Sequence, residues 1–293
     1  LVKTNSSGFR CQHEFVNEKP DKTFRVLLFG DSFTAGDGVS NKYRFGDLLE
    51  QRVGGLEVLN FGLSGTGTDQ QYLAYEHYGS NLTFDLLLIC PLVQNIKRVA
   101  SRYETVITRD NGDVGFIAKP YFELQDDELI LKNTPVAKGI LDRQELDEGD
   151  NFLANQGVVE RALRGVINRY LYPIKNLLQR TVAYDPVTEY SDANGREWKL
   201  MKKILKDWVK SVGGVPVVIC PIPLYHHVEE LSSPVNYQRR FAELSDEPNV
   251  QVFDPLYKFL EESRETRRQC RFEFDQHFTQ LGHSIMADAL IPV

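Results

Sequence analysis

A serine at the end of an apolar run is the first residue of this chain whose surroundings point to chemistry. Residues 24–29 read Phe-Arg-Val-Leu-Leu-Phe, which is typical of a buried strand, and Gly30, Asp31 and Ser32 follow directly. Glycine allows the sharp turn that presents a serine hydroxyl above a sheet edge, where ligands bind in open α/β folds. We therefore predict that Ser32 is a nucleophile, which needs a neighbouring base at neutral pH. The structural alternative for Ser32 is a helix N-cap.

A base and an acid that could serve this serine stand close together near the C-terminus. A histidine can take a proton from a serine near neutral pH and return it to a leaving group, and His277 is the candidate. Asp275 would hold the imidazole in the useful tautomer, and Glu273 is the second candidate for this acid. His283 competes as the base, but its position after Gly282 at the start of an apolar helix favours a structural role.

Two further polar blocks each follow a predicted strand. Residues 60–68 read Asn-Phe-Gly-Leu-Ser-Gly-Thr-Gly-Thr and include Gly65, and residues 93–95 read Val-Gln-Asn and end at Asn95. A turn of glycine and serine lets a backbone approach a ligand closely. A plain turn glycine is the structural alternative for Gly65.

The four blocks, in this order, resemble the SGNH (GDSL-type) hydrolases, a family named for a Ser, a Gly, an Asn and a His in separate parts of the sequence. The corresponding residues of this chain are Ser32, Gly65, Asn95 and His277. The resemblance covers roughly residues 24–100 and 213–293. It implies a serine hydrolase that acts on ester bonds, with Ser32, Asp275 and His277 as its catalytic residues.

The resemblance also implies an oxyanion hole. Its donors would be the backbone N–H groups of Ser32 and Gly65 and the side-chain amide of Asn95. The sequence departs from the family in two places. Residues 93–96 read Val-Gln-Asn-Ile where similar proteins usually read Gly-x-Asn-Asp, and Asp275 stands two residues before the histidine where the family more often has three. The altered neighbours of Asn95 could reshape the pocket floor or lower activity.

The elements that must position these residues alternate between strand and helix. Apolar strands are predicted at about 24–29, 57–60, 84–90, 215–220 and 250–253, and helical patterns separate the first three. This alternation predicts a three-layer α/β/α fold with a parallel sheet of about five strands, in the flavodoxin-like arrangement that the resemblance implies.

The alternation of predicted strands and helices is interrupted between about residues 101 and 195. We interpret residues 1–23 as an N-terminal extension and 24–293 as a single SGNH-hydrolase-like domain with an insertion at about 101–195. Within the insertion, apolar runs on both sides of residues 125–128 predict a β-hairpin, and residues 159–170 carry a helical apolar face. A later helix with apolar residues from 201 to 212 is predicted to stop at Gly213 and Gly214.

Composition excludes several classes of function. The formal net charge of −7 does not favour a nucleic-acid partner, and no apolar stretch is as long as a membrane span. Four cysteines do not make a disulfide framework, no metal-ligand spacing is present, and we predict neither a metal nor a cofactor. The chain starts at Leu1, so an upstream signal or anchor is an expectation; the compartment and the oligomeric state are not predicted.

The leading hypothesis is an esterase that removes a short acyl group through an acyl-Ser32 intermediate. The substrate would be a small-molecule or glycan ester, with O-acetyl on a carbohydrate or small metabolite as the first choice. Transfer of the acyl group to an acceptor would use the same residues. Two alternatives stay open: a lipase or thioesterase for longer acyl chains, and a catalytically silent binding module, which the altered Asn95 block motivates.

Overall fold

The computed structural model describes residues 1–107, 114–142, 146, 184–273 and 275–293. The described strands are β1 (Phe24–Gly30), β2 (Leu56–Gly62), β3 (Leu86–Cys90), β4 (Tyr103–Ile107), β5 (Val114–Ala118), β6 (Tyr121–Gln125), β7 (Glu128–Lys132), β8 (Val217–Ile219) and β9 (Val250–Val252). The described α-helices are α1 (Ser32–Ala35), α2 (Phe45–Arg52), α3 (Thr68–Ala74), α4 (Asn95–Val99), α5 (Arg196–Ser211), α6 (Tyr225–Val228), α7 (Val235–Ala242), α8 (Leu256–Leu260), α9 (Arg264–Gln269) and α10 (Gln280–Leu290).

Five of these strands form one parallel sheet in the order β2-β1-β3-β8-β9. Strand β1 pairs along its whole length with β2, from the pair Phe24 and Leu56 to the pair Gly30 and Gly62. Counting only the strands of this sheet, the order is 2-1-3-4-5, which is the flavodoxin-like arrangement. The predicted fold class is therefore confirmed.

Successive strand residues point to opposite faces of the sheet, and β1 is buried at every residue after Phe24, so both faces of the sheet are covered by helices. On one face the ring of Phe29 lies 5.2 Å from the ring of Trp208 in α5. On the other face a Cβ at Gly46 of α2 would contact the side chain of Leu28. The two helical layers and the sheet between them give the three-layer structure.

Residues 1–23 pack against this core without forming a strand or a helix. Phe9 is buried, and the ring of Phe15 stacks on Phe61 of β2 with centroids 3.9 Å apart. The guanidinium of Arg10 donates to the carbonyl oxygens of Gly36 and Val39, both at 2.8 Å. These contacts attach the N-terminal residues to the chain just after Ser32.

The structure also describes part of the predicted insertion. Strands β6 and β7 pair from Tyr121–Lys132 to Gln125–Glu128, which confirms the predicted hairpin. Strands β4 and β5 form a second antiparallel pair. The helix predicted over residues 159–170 lies outside the described residues. Further on, α5 ends as predicted, since Gly213 and Gly214 follow it with φ angles of 66° and 90°.

Several expectations from composition can be compared with the described residues. None of the helices described is both long and apolar enough to span a membrane. The four cysteines are free and buried. Within the same part of the chain, no group of three or more His, Cys, Asp or Glu side chains is placed to hold a metal ion.

Candidate active site

Ser32 is the first residue of the short helix α1 and lies at the carboxyl end of β1. Its side chain is nearly buried, and the helix ends at Gly36, whose φ of 74° is left-handed. The N-cap of this helix is Asp31, whose carboxylate accepts a hydrogen bond from the N–H of Phe33 at 3.0 Å. The N-cap alternative for Ser32 is therefore wrong, and the Ser32 hydroxyl is free for another partner.

That partner is His277, which lies 245 positions later in the chain. The His277 Nε2 atom is 2.7 Å from the Ser32 Oγ atom. On the other side of the ring, Nδ1 is 2.5 Å from the Asp275 Oδ1 atom, which also accepts from the His277 backbone N–H at 3.0 Å. The three side chains form one hydrogen-bonded series from hydroxyl to imidazole to carboxylate. Glu273 does not take the place of the acid.

The loop that carries His277 is held from both sides. An antiparallel bridge joins Arg271 to Phe278, and the N–H of Phe272 donates to the carbonyl oxygen of His277 at 3.3 Å. The ring of Phe33, next to Ser32, lies 5.0 Å from the His277 ring and 5.0 Å from the ring of Phe278. Aromatic packing therefore fixes the imidazole against the serine loop.

His283, the other candidate for the base, is part of the buried core. It lies fully buried in α10, where its Nδ1 atom accepts from the N–H of Phe45 at 3.4 Å. Burial, together with the charges of Arg44 and Arg10, lowers its pKa to about 3. The imidazole is therefore neutral at physiological pH, and its described partners do not include Ser32.

Gly65 lies in the turn after β2, with a φ of 83°. A Cβ atom at this position would collide with the Oε1 atom of Glu104, which comes from β4 of the insertion. The left-handed backbone angle favours glycine, and the contact shows that the end of the Glu104 side chain lies directly on the turn. A ligand that approached Gly65, as the sequence predicts, would therefore lie beside a carboxyl group that the sequence did not point to.

Asn95 is the first residue of α4, just beyond the carboxyl end of β3. Its side chain is fully buried, and neither the amide nitrogen nor the amide oxygen has a hydrogen-bond partner among the described residues. An unpaired buried amide is unusual, since leaving such a group unsatisfied costs about 1–3 kcal/mol. Among the described residues, nothing therefore occupies the donor of this amide. No described hydrogen bond joins Asn95 or Gly65 to the series formed by Ser32, His277 and Asp275.

Sequence reasoning missed Arg98, which connects three of the blocks. From α4, its Nη1 atom donates to Asp31 Oδ2 and to the carbonyl oxygen of Thr66, both at 3.0 Å. Asp31 is completely buried, which raises its pKa, and the Arg98 charge opposes that rise. The signal in the sequence was the aspartate before Ser32, because a carboxylate at the end of a buried strand needs a cation.

A second ion pair attaches the insertion to the sheet edge. The Nζ atom of Lys119, which follows β5, lies 2.5 Å from the Oδ2 atom of Asp69 in α3. Both side chains are buried, with exposed fractions of 5% and 0%. Burial raises the pKa of Asp69, and Lys119 opposes the rise. The pair therefore joins the end of β5 to α3, which begins three residues after Gly65.

No protein-family model matches the chain, and no curated protein matches it significantly. Solved structures with a similar fold include a member of the lipolytic G-D-S-L family from Veillonella parvula, at 14% identity and a TM-score of 0.46 over 92% of this chain and 98% of that one. A lipase/acylhydrolase from Enterococcus faecalis has 13% identity and a TM-score of 0.47 over 92% and 94%. An acetyl xylan esterase has 12% identity and a TM-score of 0.47 over 91% and 98%. Because these values are low, the function must be inferred from the chain's own residues.

Proposed function

We propose that this chain is a serine esterase of the SGNH type that hydrolyses or transfers a short acyl group. The hydrogen-bonded series of Ser32, His277 and Asp275 carries the proposal, with distances of 2.7 and 2.5 Å between the joined atoms. It lies at the carboxyl edge of a parallel sheet, where ligands bind in such folds. The substrate class we propose is an O-acetyl ester of a carbohydrate or small metabolite.

The mechanism follows from the order of these groups. The Ser32 hydroxyl attacks the ester carbonyl while His277 Nε2 takes its proton, and Asp275 stabilises the imidazolium that forms. The tetrahedral intermediate collapses, His277 protonates the leaving alcohol, and the acyl group stays on Ser32. Water or an acceptor hydroxyl then attacks the acyl-enzyme and gives its proton to His277; the bond from the acyl carbon to Ser32 Oγ breaks, and His277 returns the proton to Ser32.

The oxyanion hole we propose consists of the N–H groups of Ser32 and Gly65 and the amide of Asn95. The buried amide of Asn95, which has no hydrogen-bond partner among the described residues, supports its role, because an unpaired donor can bind the oxygen on which charge develops. Such a donor is oriented before the reaction begins, so that no protein hydrogen bond has to break first. Under this proposal Asn95 acts as an oxyanion donor although its neighbours at residues 93–96 differ from the family pattern.

The binding-module alternative has less support than catalysis. Binding alone does not require a histidine to be shared between a serine and an aspartate. The lipase alternative needs an apolar trough beside Ser32. A cavity of about 720 Å³ is lined mainly by apolar residues. These include Phe24, the first residue of β1, whereas Ser32 lies beyond the last residue of that strand. Seven strand residues span about 23 Å, so this cavity lies at the amino ends of the strands, and Ser32 lies at their carboxyl ends.

The experiment that tests the proposal is hydrolysis of p-nitrophenyl esters from acetyl to long acyl chains. We compare the wild type with Ser32→Ala and with Ser80→Ala, which removes an exposed serine as a control. We expect turnover that falls with chain length in the wild type and in Ser80→Ala, and none in Ser32→Ala. Turnover that survives in a folded Ser32→Ala protein would reject Ser32 as the nucleophile. Turnover that rises with chain length would favour the lipase or thioesterase alternative.

A transferase without its acceptor would be slow in that assay, so covalent labelling provides a second test. A fluorophosphonate reacts with an activated serine whether or not an acceptor is present. We expect mass spectrometry to find one adduct, on the peptide that contains Ser32. Absence of labelling together with absence of turnover would favour the silent binding module.

A further inference from the structure

The turn that carries Gly65 lies near two ion pairs, in each of which one cation is bound to one aspartate. On one side Arg98 is bound to Asp31, and on the other Lys119 is bound to Asp69. Both aspartates have exposed fractions of 0%, so each cation is engaged by a carboxylate that water does not reach.

Glu104 adds a third carboxylate to these two pairs. Its Oε1 atom takes the space that a Cβ of residue 65 would need, so it lies directly on the turn. Its carboxylate has no hydrogen bond or ion pair within the described part of the chain. Burial raises the pKa of Glu104, while the charges of Arg98 and Lys119, the charged groups that face it, lower it. Three carboxylates thus share two cations, and the surplus negative charge lies on Glu104.

This surplus charge affects any ester bound at the site. In the proposed mechanism, negative charge develops on the substrate oxygen next to Gly65, and a carboxylate there repels it. A positive charge on the substrate would offset the repulsion and would pair with the only one of the three carboxylates that lacks a bonded cation. A neutral or anionic ester would not receive this stabilisation.

We propose that Glu104 is a specificity-determining residue that favours esters with a cationic group, such as an ammonium, close to the ester bond. The inference rests on the proposed function, because it assumes that Ser32 reacts with an ester bound beside Gly65. It narrows the substrate class from short-acyl esters in general to those that carry a positive charge within a few bonds of the carbonyl group.

The test uses pairs of esters that have the same shape and differ in one charge. Acetylcholine and 3,3-dimethylbutyl acetate place the difference on the alcohol side, and a betaine ester and the matching 3,3-dimethylbutanoyl ester place it on the acyl side. The quantity measured is the ratio of kcat/KM for the cationic ester to that for the neutral one. The wild type is compared with Glu104→Gln and with Glu128→Gln, which removes an exposed carboxylate from the β6–β7 hairpin.

We expect Glu104→Gln to lower this ratio by about fivefold for at least one pair, the size expected for one partly exposed charge pair. The ratio should not change in Glu128→Gln. Ratios that are the same in the wild type and in Glu104→Gln for both pairs would overturn the proposal.

A failure of the esterase function itself would look different. In that case none of the esters would show turnover that depends on Ser32, as judged against Ser32→Ala. Binding of tetramethylammonium, followed by NMR titration, then decides the role of Glu104 without any reaction. Weaker binding by Glu104→Gln than by the wild type supports the proposal, and equal binding overturns it.

Discussion

The guanidinium of Arg98 lies 3.0 Å from the buried carboxylate of Asp31, and the same Nη1 atom lies 3.0 Å from the carbonyl oxygen of Thr66. Asp31 precedes the proposed nucleophile, and Thr66 follows the proposed oxyanion glycine. One side chain therefore bonds the turn after β1 to the turn after β2. Arg98 positions both turns without belonging to the hydrogen-bonded series of Ser32.

Arg98→Met is expected to lower both stability and kcat. It leaves Asp31 as a buried carboxylate without a cation, which costs about 3–5 kcal/mol for a fully buried pair and less here because Arg98 is one-third exposed. Changing Asp31 to Asn in the same protein should restore most of the stability, because the uncompensated charge is then gone. Urea unfolding of the two single variants and the double variant measures this coupling. Strictly additive losses would show that the pair is not coupled.

Asn95→Ala is expected to separate activity from stability. Loss of one oxyanion donor lowers kcat by about 10²–10³-fold in comparable enzymes. The melting temperature should stay the same or rise, because the Asn95 amide has no partner among the described residues and its removal leaves no broken bond. Asn194→Ala, at an exposed asparagine, is the control. An inactive variant that also melts much earlier would point to a structural role for Asn95 instead.

The choice between the two acids can be tested directly. Asp275→Asn should lower kcat/KM for p-nitrophenyl acetate by about 10²-fold, the lower end for loss of acid–base assistance, because the Asp275 side chain is 56% exposed and water can partly replace it. Glu273→Gln should leave kcat/KM unchanged, since the described bonds of His277 go to Asp275. The reverse pattern would transfer the role of the acid to Glu273.

The stability of the protein should fall in mild acid because of buried histidines. Burial lowers the pKa of His283 to about 3 and that of His227 to about 4, whereas a histidine in the unfolded chain titrates near 6.5. Below pH 6.5 the unfolded state therefore binds more protons, and the free energy of unfolding decreases by about 1.4 kcal/mol per pH unit for each histidine until the folded pKa is reached.

Replacement of His283 by Asn should reduce this slope between pH 6.5 and 4.5. The Asn oxygen can accept from the N–H of Phe45, so we expect the variant to keep this local contact. The exposed His77, changed to Asn, serves as the control and should leave the slope as it is. Urea unfolding at several pH values provides the measurement, and equal slopes in the wild type and in His283→Asn would contradict the assignment.

Much of the architecture was readable in the sequence because it depends on short-range patterns. Buried strands need continuous apolar runs, and the runs that end at Gly30 and Cys90 became the paired strands β1 and β3. The pair of glycines after Ser211 predicted the end of α5 because only glycine adopts left-handed angles readily. Each of these features is decided within about ten residues.

The sequence by itself also determined which groups could react, since Ser32 and His277 stand in blocks whose residue types suit that chemistry. Only the tertiary structure decided how they are used. It placed Asp275 against the His277 ring, buried His283 against Phe45, and paired Arg98 with Asp31 across 67 positions. It also laid Glu104 on Gly65. Contacts between distant residues depend on how complete elements pack, and no local pattern in the chain records that packing.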